Sequence, residues 1–351
     1  MSTSLRHFLL ALAVLILCLG NASASTSPRR PVPKTKTVAK AAAVPNGTRH
    51  APVPIVQAPY TGAPPVAVAN AVRTPPLSKM KVIPPPYRRE DDDRFEPVHP
   101  VRPADIPAED GKRQMIMGPT RSAPVSTGIS FEGVGTGLPG FFPCCVPPDT
   151  NGHVGATQYV QWNNLSFAVW DKSGNKLFGP AAGNTLFQPL GGVCASHNDG
   201  DPVVNYDALA GRWILSQLAV FASPGFSHQC VAVSLTSDAT GAWYLYDFVT
   251  DPVNFVDYPH MAVWPDGYYM ATHIFDGSGS SFLAGRIYAF ERDKMLSGQP
   301  ARMLSKDLKQ YGGLPQYGFL PADLDSPMPP PSGEAEFVIG PDPASTTLLD
   351  S

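Results

Sequence analysis

The stretch Gly200–Leu218, GDPVVNYDALAGRWILSQL, runs from an acid-bearing turn through a short half-apolar stretch and a Gly-containing turn into an apolar, β-prone run. Three other segments repeat its plan: Pro147–Asn164 (PPDTNGHVGATQYVQWNN), Val256–Ile274 (VDYPHMAVWPDGYYMATHI) and Ala322–Gly340 (ADLDSPMPPPSGEAEFVIG). The shared acids Asp149, Asp201, Asp257 and Asp323 are separated by 52, 56 and 66 positions. Self-similarity at that period means that one supersecondary unit recurs.

Between the repeats lie further strand signals, β-branched and aromatic runs bounded by turn residues. LSFAVWD and KLFGPAA follow the first repeat, QCVAVSLTS and AWYLYDF the second, RIYAFER and ARMLSKDL the third. About four strands in each ~50 residues is the plan of a β-propeller blade. The expected fold is therefore all-β, a propeller of four-stranded blades with three blades and part of a fourth. A closed propeller has four to eight blades, so the expectation is that the propeller domain, residues 128–351, is truncated.

The rest of the chain has another character. Arg6 and His7 precede the apolar run FLLALAVLILCLG and the small residues Ala22, Ser23 and Ala24, the order of a cleavable secretory signal over residues 1–24. No later run reaches the ~18 apolar residues of a membrane-spanning helix. The expected location is thus secreted or periplasmic, with no transmembrane anchor after cleavage. Residues 25–127 hold 20 of the 40 prolines and carry 16 Lys and Arg against 8 Asp and Glu. Proline lacks an amide donor and fixes φ, so this segment reads as a disordered basic linker. It is suited to a spacer role or to contact with an anionic cell envelope. Residues 128–351 reverse the sign, with 9 basic and 21 acidic residues, which argues against nucleic acid as a ligand.

Several features bear on chemistry. Asp149, Asn151, Asn198, Asp199, Asp201, Asp257 and Asp323 place oxygen donors in the repeat turns, where loops at one end of a propeller would surround one channel. Asn198, Asp199 and Asp201 share one loop, and their oxygens suit calcium at Asp199 and Asp201; the alternative is that each side chain caps its own turn. His153, His260 and His273 lack the spacing of a zinc site and read as structural. No Gly-rich phosphate loop and no G-x-S-x-G elbow is present. The four cysteines beyond the signal allow three pairings. Cys194 with Cys230 is the favoured one, and the adjacent Cys144 and Cys145 either bond to each other or to partners elsewhere.

The runs PPDTNGHVGATQYVQWNNLSFAVWDKSGNKLFGP, NDGDPVVNYDALAGRWILSQLA and DYPHMAVWPDGYYMATHIFD resemble a group of secreted bacterial β-propeller proteins, mostly of unassigned function. The resemblance covers about residues 128–345 and implies a propeller outside the cytoplasm; no activity comes with it. Thr236, Asp238, Gly241 and Trp243 are distantly similar to the Asp-box turn of sialidase-like propellers, with one residue inserted. Arg212, Arg286, Arg292 and Arg302 are too few and too scattered for the arginine cluster that such enzymes place on a substrate carboxylate. The expected function is a binding or scaffold module for a glycan, peptide or protein at the channel mouth. A secreted hydrolase using a pair of channel acids is the alternative.

Overall fold

A computed structural model describes residues 66–85, 128–145, 147–220, 227–308 and 318–340, and the signal-like segment 1–24 lies outside them. The fold is all-β. Strands β1 (Val66–Ala69) and β2 (Val72–Arg73) precede three meanders. The first comprises β3 (Thr150–Val154), β4 (Gln158–Asn163), β5 (Ser166–Asp171) and β6 (Lys176–Ala182). After a short helix α1 (Gly192–Ser196) come β7 (Val203–Asp207), β8 (Arg212–Val220), β9 (Ser227–Ser234) and β10 (Trp243–Asp251). The third contains β11 (Phe255–Val263), β12 (Tyr268–Phe275), β13 (Phe282–Phe290), helix α2 (Arg292–Leu296) and β14 (Ala301–Leu308). A short pair, β15 (Leu320–Pro321) and β16 (Val338–Ile339), follows.

Each meander is an antiparallel sheet in chain order, and the three sheets are separate. Their first strands are neighbours: β3 packs beside β7, β7 beside β11, and β11 beside β15. The turns follow from local chemistry. Between β5 and β6, Asp171 Oδ1 accepts the amides of Ser173 and Asn175 at 2.8 and 2.9 Å, and Gly174 supplies φ +83°. Between β9 and β10, Asp238 Oδ1 accepts the Thr240 amide at 2.9 Å and Gln158 Nε2 at 2.8 Å. Asp238 thus builds a turn between the third and fourth strands of the second sheet and clasps it to the first.

The second sheet is buried on both faces, which is why WILSQLAV and CVAVS carry apolar residues at successive positions rather than alternating ones, with Ser216, Gln217 and Ser234 buried among them. On one side Trp162, Phe167 and Phe187 meet Trp213 and Trp243. On the other Ile214, Val231 and Val233 meet Met261, Val263 and Tyr268. A buried ion pair crosses the second interface. Arg292 Nε and Nη2 donate to the two carboxylate oxygens of Asp207 at 2.7 and 3.1 Å.

Cys194 and Cys230 are bonded, with Cα atoms 5.7 Å apart, and tie α1 to β9. Cys144 and Cys145 are bonded to each other.

Residues 66–85 differ from the expectation of a disordered linker over 25–127. They run along the outer edges of the sheets. β1 pairs with β14, β2 pairs with β10, and Ile83 O accepts the Ala182 amide at the end of β6 at 2.8 Å. The reason is local: VAVANAVRT, Val66–Thr74, contains no proline, so every amide can join a ladder, and Val and Ala suit an outer strand. The remainder of 25–127 lies outside the described residues. No helix among the described residues is long and apolar enough to cross a membrane.

Candidate functional site

Three of the four repeat acids converge where the first strands begin. Asp149 Oδ2 accepts Asn164 Nδ2 at 3.1 Å, from the β4–β5 turn. Asp201 Oδ2 accepts the Tyr258 amide at 3.3 Å, and the Asp201 and Asp257 side chains hydrogen-bond to each other. Asp149 lies close enough for its charge to act on Asp257. Gly200 is needed for the approach: a Cβ there would lie 1.9 Å from Asn164 Oδ1, and its φ of +91° suits only glycine well.

Backbone strain gathers at the same place. Asp149, Asn164, Asp201 and Tyr258 are the four non-glycine residues with positive φ among the described residues, at +43°, +37°, +45° and +58°. Asn and Asp tolerate that region; tyrosine does so at a cost of about 1–3 kcal/mol, repaid only where surrounding structure imposes it. Here the imposing contacts are the Asp201 carboxylate on its amide and the stack of its ring on His273, with centroids 4.7 Å apart and planes at 13°. His260 meets the Tyr258 ring edge-on at 4.3 Å. His273 Nε2 accepts the Gly318 amide at 3.0 Å. The Tyr258 side of this cluster is open, the residue being 40% exposed.

A hydrogen bond between two carboxyl groups requires a proton on one of them. Burial raises the Asp257 pKa above the ordinary aspartate value, and the Asp149 charge pushes the same way, against the hydrogen bonds from Asp201 and the Tyr258 amide. The folded chain therefore binds this proton more tightly than the unfolded chain does. The associated stability is complete below the unfolded aspartate pKa of about 4 and is lost as pH rises through the raised folded value, each unit of difference being about 1.4 kcal/mol. His260, whose pKa burial lowers, contributes in the opposite sense, losing stability as pH falls below its ordinary value. Asp257→Asn mimics the protonated group and is expected to stabilise the protein at pH 7.5 while removing the decline above pH ~4. Urea unfolding of both proteins across that range checks this, and parallel pH profiles would refute it.

The other expected site residues are placed elsewhere. Asn151 Oδ1 accepts the Val204 amide at 2.8 Å and links the first two sheets. Asn198 is buried and donates to Leu165 O at 3.0 Å. Asp199 Oδ2 accepts the Val220 amide at 2.8 Å and contacts His197 Nδ1 at 3.1 Å, so it clasps the end of β8. Asp199 and Asp201, expected as joint calcium ligands, thus serve different strands. Asp323 Oδ1 accepts the Val263 amide at 2.7 Å, at the far end of β11 from Asp257. Asp257 and Val263 are six positions apart along the strand, on the order of 15–20 Å. One site drawing on all four repeat acids is therefore not formed. Burial raises the Asp323 pKa, and the neighbouring Asp325 charge adds to it.

The arginines are engaged separately. Arg286 pairs with Asp251 at 2.7 Å and with Asp307, Arg292 with Asp207, and Arg302 with Glu291. Arg212 donates to the carbonyls of Ala210 and Gly211 at 3.3 and 3.2 Å. They form no common carboxylate-binding cluster among the described residues. Asn164, Tyr258 and Asp325 escaped the sequence reading. Tyr258 follows a repeat acid directly, and Asn164 sits in an Asn-Asn turn, so position beside the repeat was their only signal. No family model, curated protein or solved structure matches this chain.

Proposed function

We propose that this chain is a secreted or periplasmic β-propeller-type binding module, and that it holds a polyhydroxylated cell-surface glycan at the Asp149, Asp201 and Asp257 end. The observation that carries the reading is the convergence of these three acids, from the starts of three successive first strands, beside the exposed and conformationally strained Tyr258. Carboxylates accept hydrogen bonds from sugar hydroxyls, and an open aromatic ring offers an apolar face to a sugar ring. The propeller reading draws on the chain-ordered four-stranded meanders with neighbouring first strands and on the resemblance to secreted bacterial propellers. Secretion draws on the signal-like residues 1–24 and on the two disulfides. The basic residues of 25–127 would tether the module to an anionic envelope.

Hydrolysis is the second reading, favoured by a proton held on the Asp201 and Asp257 pair. Two-carboxylate glycosidases separate their acids by about 5–9.5 Å, whereas these two are in hydrogen-bond contact, which favours binding over turnover. A glycan array probed with the purified secreted chain tests the proposal. Glycan retention is expected to weaken roughly tenfold or more in Tyr258→Ala and in Asp201→Asn, in the range seen for truncated binding hot spots. Retention that neither variant alters would sink it, and turnover abolished by Asp257→Asn would replace it with the hydrolase reading.

A further inference from the structure

A second cluster lies at the other end of the first strands. His153 Nε2 is 2.9 Å from Asp325 Oδ1, and one ligand atom each from His153, Asp323 and Asp325 falls within 4.8 Å of the others. His153 belongs to β3, in the first sheet, and the two acids follow β15. The cluster therefore joins the beginning of the row of sheets to its end.

The tautomer gives this contact its meaning. His153 Nδ1 lies 3.1 Å from Val154 O, a carbonyl that accepts a hydrogen bond from Nδ1 in the tautomer that leaves Nε2 free to ligate a metal. In that tautomer Nε2 presents its lone pair toward Asp325 Oδ1, 2.9 Å away. A metal ion placed between them would be held by both atoms. Fixing of Nδ1–H by a backbone carbonyl is also how metal-binding histidines are oriented. Asp323 is oriented in the same manner, Oδ1 being held by the Val263 amide at 2.7 Å.

We propose that His153, Asp323 and Asp325 bind a divalent transition-metal ion of the zinc class and that this ion ties the first sheet to the segment after β15. Zinc takes imidazole nitrogen at about 2.0–2.1 Å and carboxylate oxygen at about 2.0–2.2 Å. Calcium prefers six to eight oxygens, and magnesium keeps its waters and oxygen ligands. Three protein ligands leave a fourth position, and the Asp325 side chain, 77% exposed, puts that position at the surface, open to water or to a ligand donor.

The test uses the full chain, titrated with zinc by calorimetry and with cobalt followed by its ligand-field absorption. One zinc ion per chain is expected at this site, with affinity reduced roughly tenfold or more in His153→Ala, Asp323→Asn and Asp325→Asn. The cobalt spectrum of the wild type is expected to be lost in all three. Asp325→Asn changes an exposed side chain and keeps the test valid if either other variant fails to fold. Zinc should raise the thermal midpoint of the wild type and of Asp201→Asn, whose altered residue lies at the opposite end, and should not raise that of Asp325→Asn. Equal zinc affinity in wild type and Asp325→Asn overturns the proposal, as does no binding at all. Calcium displacing cobalt at comparable concentration overturns the assignment to the zinc class.

Discussion

Asp207→Ala is expected to lower the unfolding free energy by about 3–5 kcal/mol, the range for breaking one side of a buried ion pair. Asp207 is fully buried at the end of β7 and accepts four hydrogen bonds: Arg292 Nε at 2.7 Å, Arg292 Nη2 at 3.1 Å, Tyr268 Oη at 3.0 Å and the Ala210 amide at 2.9 Å. Alanine would leave the guanidinium, itself buried and 5.9 Å from the Tyr268 ring centroid, with Pro265 O at 3.3 Å and a weak 3.7 Å contact to the exposed Asp293 as its polar partners among the described residues. The cost is the stranded charge rather than the worth of the pair. The double variant Asp207→Ala with Arg292→Met should for that reason recover much of the loss, since apolar replacements of buried pairs are often close to neutral. Urea unfolding of the two singles and the double closes the cycle. A single-variant loss below about 1 kcal/mol, or a double variant worse than the sum of the singles, would show that this pair does not stabilise the contact between the second and third sheets.

Asp207 also shows where sequence reading stops. The run NYDALAGRW marks it only as a turn residue, and its Ala210 bond is indeed a turn bond; its partner Arg292 is 85 positions away. The strands were legible because period and residue type are local properties: all four repeats lead into strands, and ARMLSKDL forms β14. The acids were legible only in part. Alignment on an aspartate selects the strand start in the first three repeats. In the fourth it selects Asp323, which comes after β15 and belongs to the opposite end. The same local reading separated His153 from Asp325, because only the packing of the first strands brings together residues 172 positions apart.

Removing residues 1–127 is expected to destabilise the protein by more than 3 kcal/mol or to make it aggregate, although composition alone puts the domain boundary at residue 128. The segment Val66–Pro85 covers two exposed sheet edges. β1 meets β14 from Val66 opposite Leu304 to Ala69 opposite Ala301, and β2 meets β10 at Val72 and Arg73. Without them, the unpaired groups of β14 and β10 would be open to pairing with other chains. Thr74 closes a two-way contact with Trp243, donating its amide to Trp243 O at 2.8 Å and accepting the Trp243 amide on Oγ1 at 2.9 Å. Leu77 has no exposed surface and packs in the core that holds Trp162, Phe187 and Trp243. Its burial alone is worth about 2 kcal/mol. Leu77→Ala should cost about 2–4 kcal/mol in the full chain, because the void would lie under a segment anchored on both sides. A chain starting at residue 60 should keep the full stability, and the chain starting at residue 128 should regain part of it when a peptide of residues 66–85 is added. Equal urea midpoints for the chains starting at 60 and at 128 would mean that the edge pairing and the Leu77 core contribute nothing net. In that case the proline-rich region would be a plain spacer throughout, as its composition alone implies.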